Sequence, residues 1–437
     1  MMEMTTDLAP SKPPAFGALT LPGYRAYLVT FVFAMMADNI EHVISYWVAF
    51  QKFHSPALGG FAVLSHWLPY LGFSVAVGAL NDRVDSRRLI QAGMGLFITA
   101  SLGWGYFFVT DTLTMPAAMM LLVIHGCAGV LWQTSSQMIL HEIAGPALLP
   151  SAVRLNATGR YLAVIVGPAV GGVVMLTLGP SRGIFLNTVF YVPLVLWLIR
   201  APYGQKKGGV RRAVRGLRDL RERVPRGSRG LADIVQTIRE VRAIPALAMM
   251  TFLAGCASFF VGNSYQAQMP GFATDLGHGD PGTAYTALLA ADASGALVGG
   301  FLLEGRGGWL KTEPASAFKL AIGWALSLAA FACVRSYPLA LVLLFTAGFF
   351  ELSFSSMAQT IVQLKAPAEI RGRVLGLFNM AALGLRAFSG ITVGLTAAVT
   401  GIHVSLASSA GTFAVLIGLV SWRMAQRPAA IPESSGQ

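Results

Sequence analysis

Twelve long apolar runs dominate this chain: 25–50, 57–80, 89–110, 116–140, 152–178, 183–200, 246–268, 283–303, 315–334, 338–362, 374–398 and 403–424. A helix rises 1.5 Å per residue, so about 20 apolar residues cross the ~30 Å hydrocarbon layer of a bilayer. The runs are continuous rather than alternating in ten-residue segments, which excludes an outer-membrane barrel. Composition points the same way: 54% of the 437 residues are hydrophobic and only 12% are charged, against about 25% charged in ordinary soluble domains. A soluble fold cannot hide that much apolar surface, so a soluble enzyme, a disordered chain and a secreted disulfide scaffold are all excluded. Cys127, Cys256 and Cys333 each lie inside an apolar run and read as small buried hydrophobes. The expected fold is an all-α integral membrane protein with twelve transmembrane helices.

The net charge of +12 would suit a nucleic-acid binder, but such a binder needs a polar body that this chain lacks, so no nucleic-acid partner is expected. The basic residues instead report topology. With the N-terminus in the cytoplasm, 27 of the 32 Lys and Arg fall on the cytoplasmic side. Lys52, Arg182 and Arg335 fall outside, and Arg160 and Arg386 fall within spans. This split follows the positive-inside rule and returns the C-terminus to the cytoplasm. The first 20 residues lack the apolar core of a cleavable signal, so the first run is expected to serve as an uncleaved insertion signal. The long linker divides the chain into a tail (1–24), a six-helix bundle (25–200), a basic linker (201–245), a second six-helix bundle (246–425) and a tail (426–437). Within the linker, Val214, Leu217, Leu220 and Val224, and then Leu231, Ile234, Val235, Ile238 and Val241, recur at helical spacing among arginines. Both stretches read as amphipathic helices lying on anionic lipid at the inner surface. The halves echo each other: Pro146 with Ala152-Val153 parallels Pro367 with Arg373-Val374, as internal repeats of a two-bundle transporter would.

After the second run stands Gly78-Ala79-Leu80-Asn81-Asp82-Arg83-Val84-Asp85-Ser86-Arg87-Arg88. It resembles the loop signature G-x-L-x-D-R-x-G-R-R of the major facilitator superfamily. Gly78 lets two helices meet closely, and Asp82 can face the positive end of a neighbouring helix. In that family the loop latches the two bundles together in the outward-facing state. Asp82 is then the latch acid, and its expected partner is the start of the eleventh run near Arg371 and Arg373. Asp85 replaces the usual second glycine. In the fifth run, Gly159 and Gly167-Pro168-Ala169-Val170-Gly171-Gly172 resemble the G-P-x-x-G-G element of antiporter branches, which the family associates with export. Further stretches are similar to the secretion-effector or enterobactin-exporter branch: Ala37-Asp38-Asn39, Leu155-Asn156, Phe185-Leu186-Asn187, Ile238-Arg239-Glu240-Val241-Arg242 and Pro367-Ala368-Glu369-Ile370-Arg371-Gly372-Arg373-Val374. There are departures. The arginine that this branch carries three residues before its Gly-Pro pair is Val164 here, with Arg160 one turn earlier. The fourth-run R-x-x-Q-G element is replaced by Leu122-Val123-Ile124-His125-Gly126, so its proton-relay role does not carry over.

Ionisable groups inside hydrocarbon are expensive and mark function by default. Asp38, Glu41, His42 and Ser45 share one face of the first run by i, i+3, i+4 and i+7 spacing and must look into a cavity. Two neighbouring carboxylates there suit proton pickup and release, and a static alternative has them fasten the span to Arg160. Asp292, Glu351 and Arg386 give the second half its own charges, with Arg386 expected to pair with one of the two acids. His66 and His125 read as packing histidines. Tyr46, Trp47, Trp67, Trp132, Phe259, Phe260 and Tyr265 are candidate cavity aromatics for an amphipathic substrate.

The expected function is proton-coupled export of a small organic molecule, siderophore-like or drug-like, by rocking of two pseudo-symmetric bundles. The protein is expected to be a monomer of a bacterial inner membrane, with no cofactor and no catalysis. Two alternatives stay open. One is a divalent metal exporter similar to ferroportin, with Asp38 and His42 as first-span ligands and Cys256 from the second half. The other is a non-transporting receptor or scaffold with a transporter fold.

Overall fold

The computed structural model describes residues 14–54, 56–203, 229–277, 281–305 and 310–426, and these are almost entirely helical with no strand among them. The first three helices are α1 (Pro22–Phe53), α2 (Pro56–Asn81) and α3 (Ser86–Thr110). An 86-residue helical stretch, Met115–Arg200, follows and is broken at Gly145 (φ 64°) and Gly179 (φ 77°). Positive φ is accessible to glycine, and the Pro146 and Pro180 that follow cannot donate to the preceding turn, so each Gly-Pro pair ends one helix and starts the next. The limbs are α4 (115–144), α5 (146–178) and α6 (180–200). The linker contributes α7 (Arg229–Ala243). The second half contains α8 (Pro245–Phe260), two short turns α9 (Ser264–Ala267) and α10 (Met269–Asp275), α11 (Pro281–Gly305), α12 (Pro314–Cys333) and α13 (Tyr337–Lys365). It ends with α14 (Arg371–Thr400) and α15 (Ile402–Ala425).

Among the described residues, ten helices are long and apolar enough to cross a membrane. Counting the broken stretch as three limbs gives the twelve spans read from sequence. Two spans are less regular than expected. The seventh run breaks after Phe260, where Gly262 takes φ 54°. The eleventh contains two π-helical segments, Met380–Gly384 and Gly390–Leu395, on either side of Arg386, the kind of local widening found at functional sites.

Each half packs around its own core. Tyr27, Phe31, Met94, Phe97 and Trp132 are central to the first, and Phe272, Phe318, Trp324, Leu328 and Phe413 to the second. Outward faces present large apolar side chains such as Leu176, Val399, Val109 and Trp422, as a lipid-facing surface should. The linker helix departs from expectation. Ile234, Ile238 and Val241 of α7 pack against the core of the second half, and Thr237 is buried. Its inner face therefore docks on protein rather than lipid, while Val235 stays exposed. The other expected amphipathic helix, at 214–224, lies outside the described residues.

The glycine string of α5 forms a seam against α1. A Cβ on Gly159 would stand 2.9 Å from Val32, one on Gly167 would stand 2.7 Å from Asn39, and one on Gly171 would stand 3.3 Å from Ile40. Gly172 has nothing within 4 Å. Gly167→Val is therefore expected to destabilise by roughly 1–3 kcal/mol through overpacking, and Gly172→Ala to stay within about 0.5 kcal/mol. Thermal unfolding of the detergent-solubilised variants checks both.

Candidate functional site

The halves are fastened at the end that carries the 82–86 loop. There the Asp82 carboxylate accepts from the backbone N–H of Gly372 at 2.6 Å and of Arg373 at 3.1 Å. A carboxylate on the free N–H groups of the first turn of α14 caps that helix and meets its positive end. The close approach depends on glycines: a Cβ on Gly78 would fall 2.1 Å from the Gly372 carbonyl, and one on Gly372 would fall 2.1 Å from the Gly78 carbonyl. Asp82 thus meets the start of α14, the partner expected from sequence, through backbone N–H groups. The side chain of Arg373 lies 3.7 Å from Glu240 of α7. Asp85 caps α3 by accepting from the N–H of Arg87 at 2.9 Å and pairs with the Arg87 guanidinium at 2.7 Å. The same Arg87 donates to the Ala201 carbonyl at 2.6 Å. Arg83 and Arg88 are exposed.

A second fastening joins α5 to α11 at the same end. Glu304 accepts from Ser151 and, at 2.7 Å, from Arg154 Nε, and Gly300 lets α11 press on Thr158. Nearer the middle, Gln137 Nε2 donates to Asn379 Oδ1 at 2.8 Å across the halves.

Beyond these contacts opens a cavity of about 470 Å³ between the bundles. It contains Asp38, His42, Arg160, Glu351 and Arg386 in its wall, together with Tyr46, Trp67 and Trp132. It extends to Tyr46 and Val63, both exposed, on the side away from the latch.

The shared face of α1 is as expected, but its partner is not Arg160. His125 of α4 holds both acids: Nε2 lies 2.9 Å from Asp38 Oδ1 and Nδ1 lies 2.8 Å from Glu41 Oε1. Ser101 also donates to Glu41. Gly126 brings α4 in, since a Cβ there would stand 1.9 Å from the Ser65 carbonyl of α2. His42 and His66 complete the group, with ring centroids 4.6 Å and 5.7 Å from that of His125. His66 thus lines the cavity, and His125, read from sequence as a packing histidine, sits between the two acids of α1. His125→Leu would leave two buried carboxylates without their shared partner, and is expected to destabilise by about 3–5 kcal/mol, read as a lowered melting temperature.

The second half departs in detail. Asp292 Oδ2 accepts from Tyr265 at 3.0 Å and Gln266 at 3.2 Å. Neither Arg160 nor Arg386 makes an ion pair among the described residues, so the expected Arg386 pairing with Asp292 or Glu351 is not found. The guanidinium of Arg386 sits 5.0 Å from the Trp67 ring centroid instead, a cation–π contact across the halves. Glu351 Oε2 and Arg386 Nε are buried without a hydrogen-bond partner. Of the expected aromatics, Trp47, Phe259, Phe260 and Tyr265 do not line the cavity. Trp47 is half exposed on the outer face, Phe259 packs on Phe388, and Tyr265 is buried on Asp292. Tyr70, Tyr161, Phe354 and Phe378 take their places. Cys256 packs against the core of the second half and not in the cavity wall, so it leaves the metal-ligand set that included it.

Two helical bundles fastened at one end around a central, charged cavity define a multi-pass membrane transporter. A family model, "Major Facilitator Superfamily", matches residues 26–390, and the chain belongs to that family, whose members are transporters rather than enzymes. No curated protein matches. Solved structures show the same fold. A variant of the E. coli fucose:proton symporter FucP aligns with TM-score 0.69 at 10% identity over 92% of this chain and 98% of that one. The proton:xylose symporter XylE, bound to 6-bromo-6-deoxy-D-glucose, aligns with TM-score 0.67 at 17% identity over 94% and 95%. The human organic anion transporter MFSD10 (TETRAN) aligns with TM-score 0.65 at 14% identity over 91% and 100%.

Proposed function

We propose that this secondary transporter exports a small organic molecule, siderophore-like or drug-like, in exchange for protons. The observation that carries the reading is Glu351, a cavity-wall carboxyl with one oxygen buried and unpartnered. A buried carboxylate oxygen with no donor is costly unless it takes a proton or a donor group from the cavity. A proton on Glu351 and a substrate group donating to its carboxylate compete for the same oxygen, which is the elementary condition for exchange, while the amide oxygen of a glutamine there could still accept the substrate group. Arg160 and Arg386 are placed to receive the substrate's acceptor groups, and Trp67 and Trp132 its apolar surface. Asp38 and Glu41, the acids expected from sequence to exchange protons, are both engaged by His125, so the proton role passes to Glu351.

The latch contacts at Asp82 and Glu304 support an outward-facing state in which the latch end is cytoplasmic. The distribution of 27 basic residues supports the same sidedness, with both termini on the cytoplasmic side of a bacterial inner membrane and the protein acting as a monomer. Export is supported by the likeness of Gly167–Gly172 to antiporter branches and of the wider motif set to the enterobactin-exporter branch. Inverted membrane vesicles acidified inside test the direction. Accumulation of an iron-free catecholate siderophore or of ethidium, abolished by a protonophore, is expected. Accumulation only in right-side-out vesicles would overturn export.

A further inference from the structure

We propose that the cavity wall formed by α1, α2 and α4 is a binding site for a divalent first-row transition metal ion, with His42, His66, His125 and Asp38 as ligands and Glu41 orienting His125. One ring nitrogen from each of the three histidines lies within 4.8 Å of the others. Zinc–nitrogen bonds of about 2.0–2.1 Å place tetrahedral ligand atoms roughly 3.3 Å apart, so small ring rotations close the set. Asp38 Oδ1 already stands 2.9 Å from His125 Nε2, about the separation of two ligand atoms on one ion. On the other side of that ring, Glu41 Oε1 lies 2.8 Å from Nδ1. A carboxylate on the far nitrogen of a ligating histidine fixes the tautomer and turns the Nε2 lone pair toward the metal. His66 Nδ1 is buried without a hydrogen-bond partner among the described residues, a polar atom that helix packing alone leaves unexplained. Asp38, His42 and His66 all face the cavity, so an ion reaches the site through water.

The donor set also fixes the class of ion. Three imidazoles and a carboxylate suit zinc, cobalt, nickel or copper, whereas magnesium and calcium prefer oxygen donors. None of the ligands is Glu351 or an arginine proposed to hold the organic substrate, so the site stands whether or not export is correct.

The test is cobalt(II) and zinc binding by the tag-free full-length chain, stripped with chelator and held in detergent. One ion per chain is expected, with cobalt d–d bands that excess magnesium does not abolish. His42→Gln and His66→Gln are each expected to weaken zinc binding at least tenfold. Glu41→Gln is expected to weaken it about 10–100-fold, as loss of an orienting carboxylate does, and to shift the cobalt spectrum. His403→Gln, at the separate contact with Asp275, is expected to change nothing. Less than stoichiometric binding to the wild type would overturn the proposal. So would unchanged affinity in a monodisperse His42→Gln/His66→Gln double variant. Because binding is read at equilibrium without substrate or gradient, its failure is distinct from a failure of export.

Discussion

Asp82→Ala is expected to open the latch end. The lost carboxylate accepts two backbone hydrogen bonds, at 2.6 and 3.1 Å, and hydrogen bonds to charged groups contribute about 1.5–3 kcal/mol each. Removing about 3 kcal/mol from one side of a two-state equilibrium shifts it by roughly 100-fold. Spin labels at Arg83 and Lys365, both exposed on the latch end of opposite halves, read the change. The wild type is expected to show a short distance, and Asp82→Ala a dominant longer one, with transport reduced more than tenfold. Gly372→Ala should act in the same direction for a different reason, because its Cβ would enter the Gly78 carbonyl at 2.1 Å. An unchanged distance distribution in both variants would show that the latch does not hold the state.

Glu351→Gln is expected to separate exchange from proton drive. Glutamine keeps the size and the hydrogen-bonding capacity of the acid but cannot gain or lose a proton. Uptake driven by a pH gradient should fall at least 100-fold. Counterflow of the same catecholate or dye between equal pH compartments should persist. Asp292→Asn serves as the contrast, since Asp292 accepts from Tyr265 and Gln266. That variant should lower the melting temperature and leave coupling intact. Loss of counterflow together with driven uptake in Glu351→Gln would place the residue in substrate binding rather than proton carriage.

Spans were legible because hydrophobic length is a local property, and so was the latch, because Gly78, Asp82 and the start of α14 meet through backbone groups that any sequence supplies. The face of α1 bearing Asp38, Glu41 and His42 was legible too, since helical spacing alone puts them together. Their partner was not. His125 sits alone in an apolar run with no periodic signal, and only the packing of Gly126 against α2 decides that it meets α1. The same holds for the aromatics: Trp47 and Trp67 look alike in sequence, yet one faces out and the other lies beside Arg386 in the cavity. Asp85 shows a different limit. Read as a departure from the expected glycine, it proves to be the cap of α3 and the partner of Arg87, a role visible only once the helix start is placed. The breaks at Gly145 and Gly179 were marked by Gly-Pro pairs, whereas the π-helical segments around Arg386 leave no comparable mark.

The most direct test of proton-coupled exchange uses purified protein in sealed liposomes with a pH-sensitive dye trapped inside. The mechanism requires that adding the catecholate or dye substrate to one side, with no imposed gradient, moves protons the opposite way through the wild type and moves none through Glu351→Gln. Substrate flux through the wild type with no accompanying proton movement would contradict it.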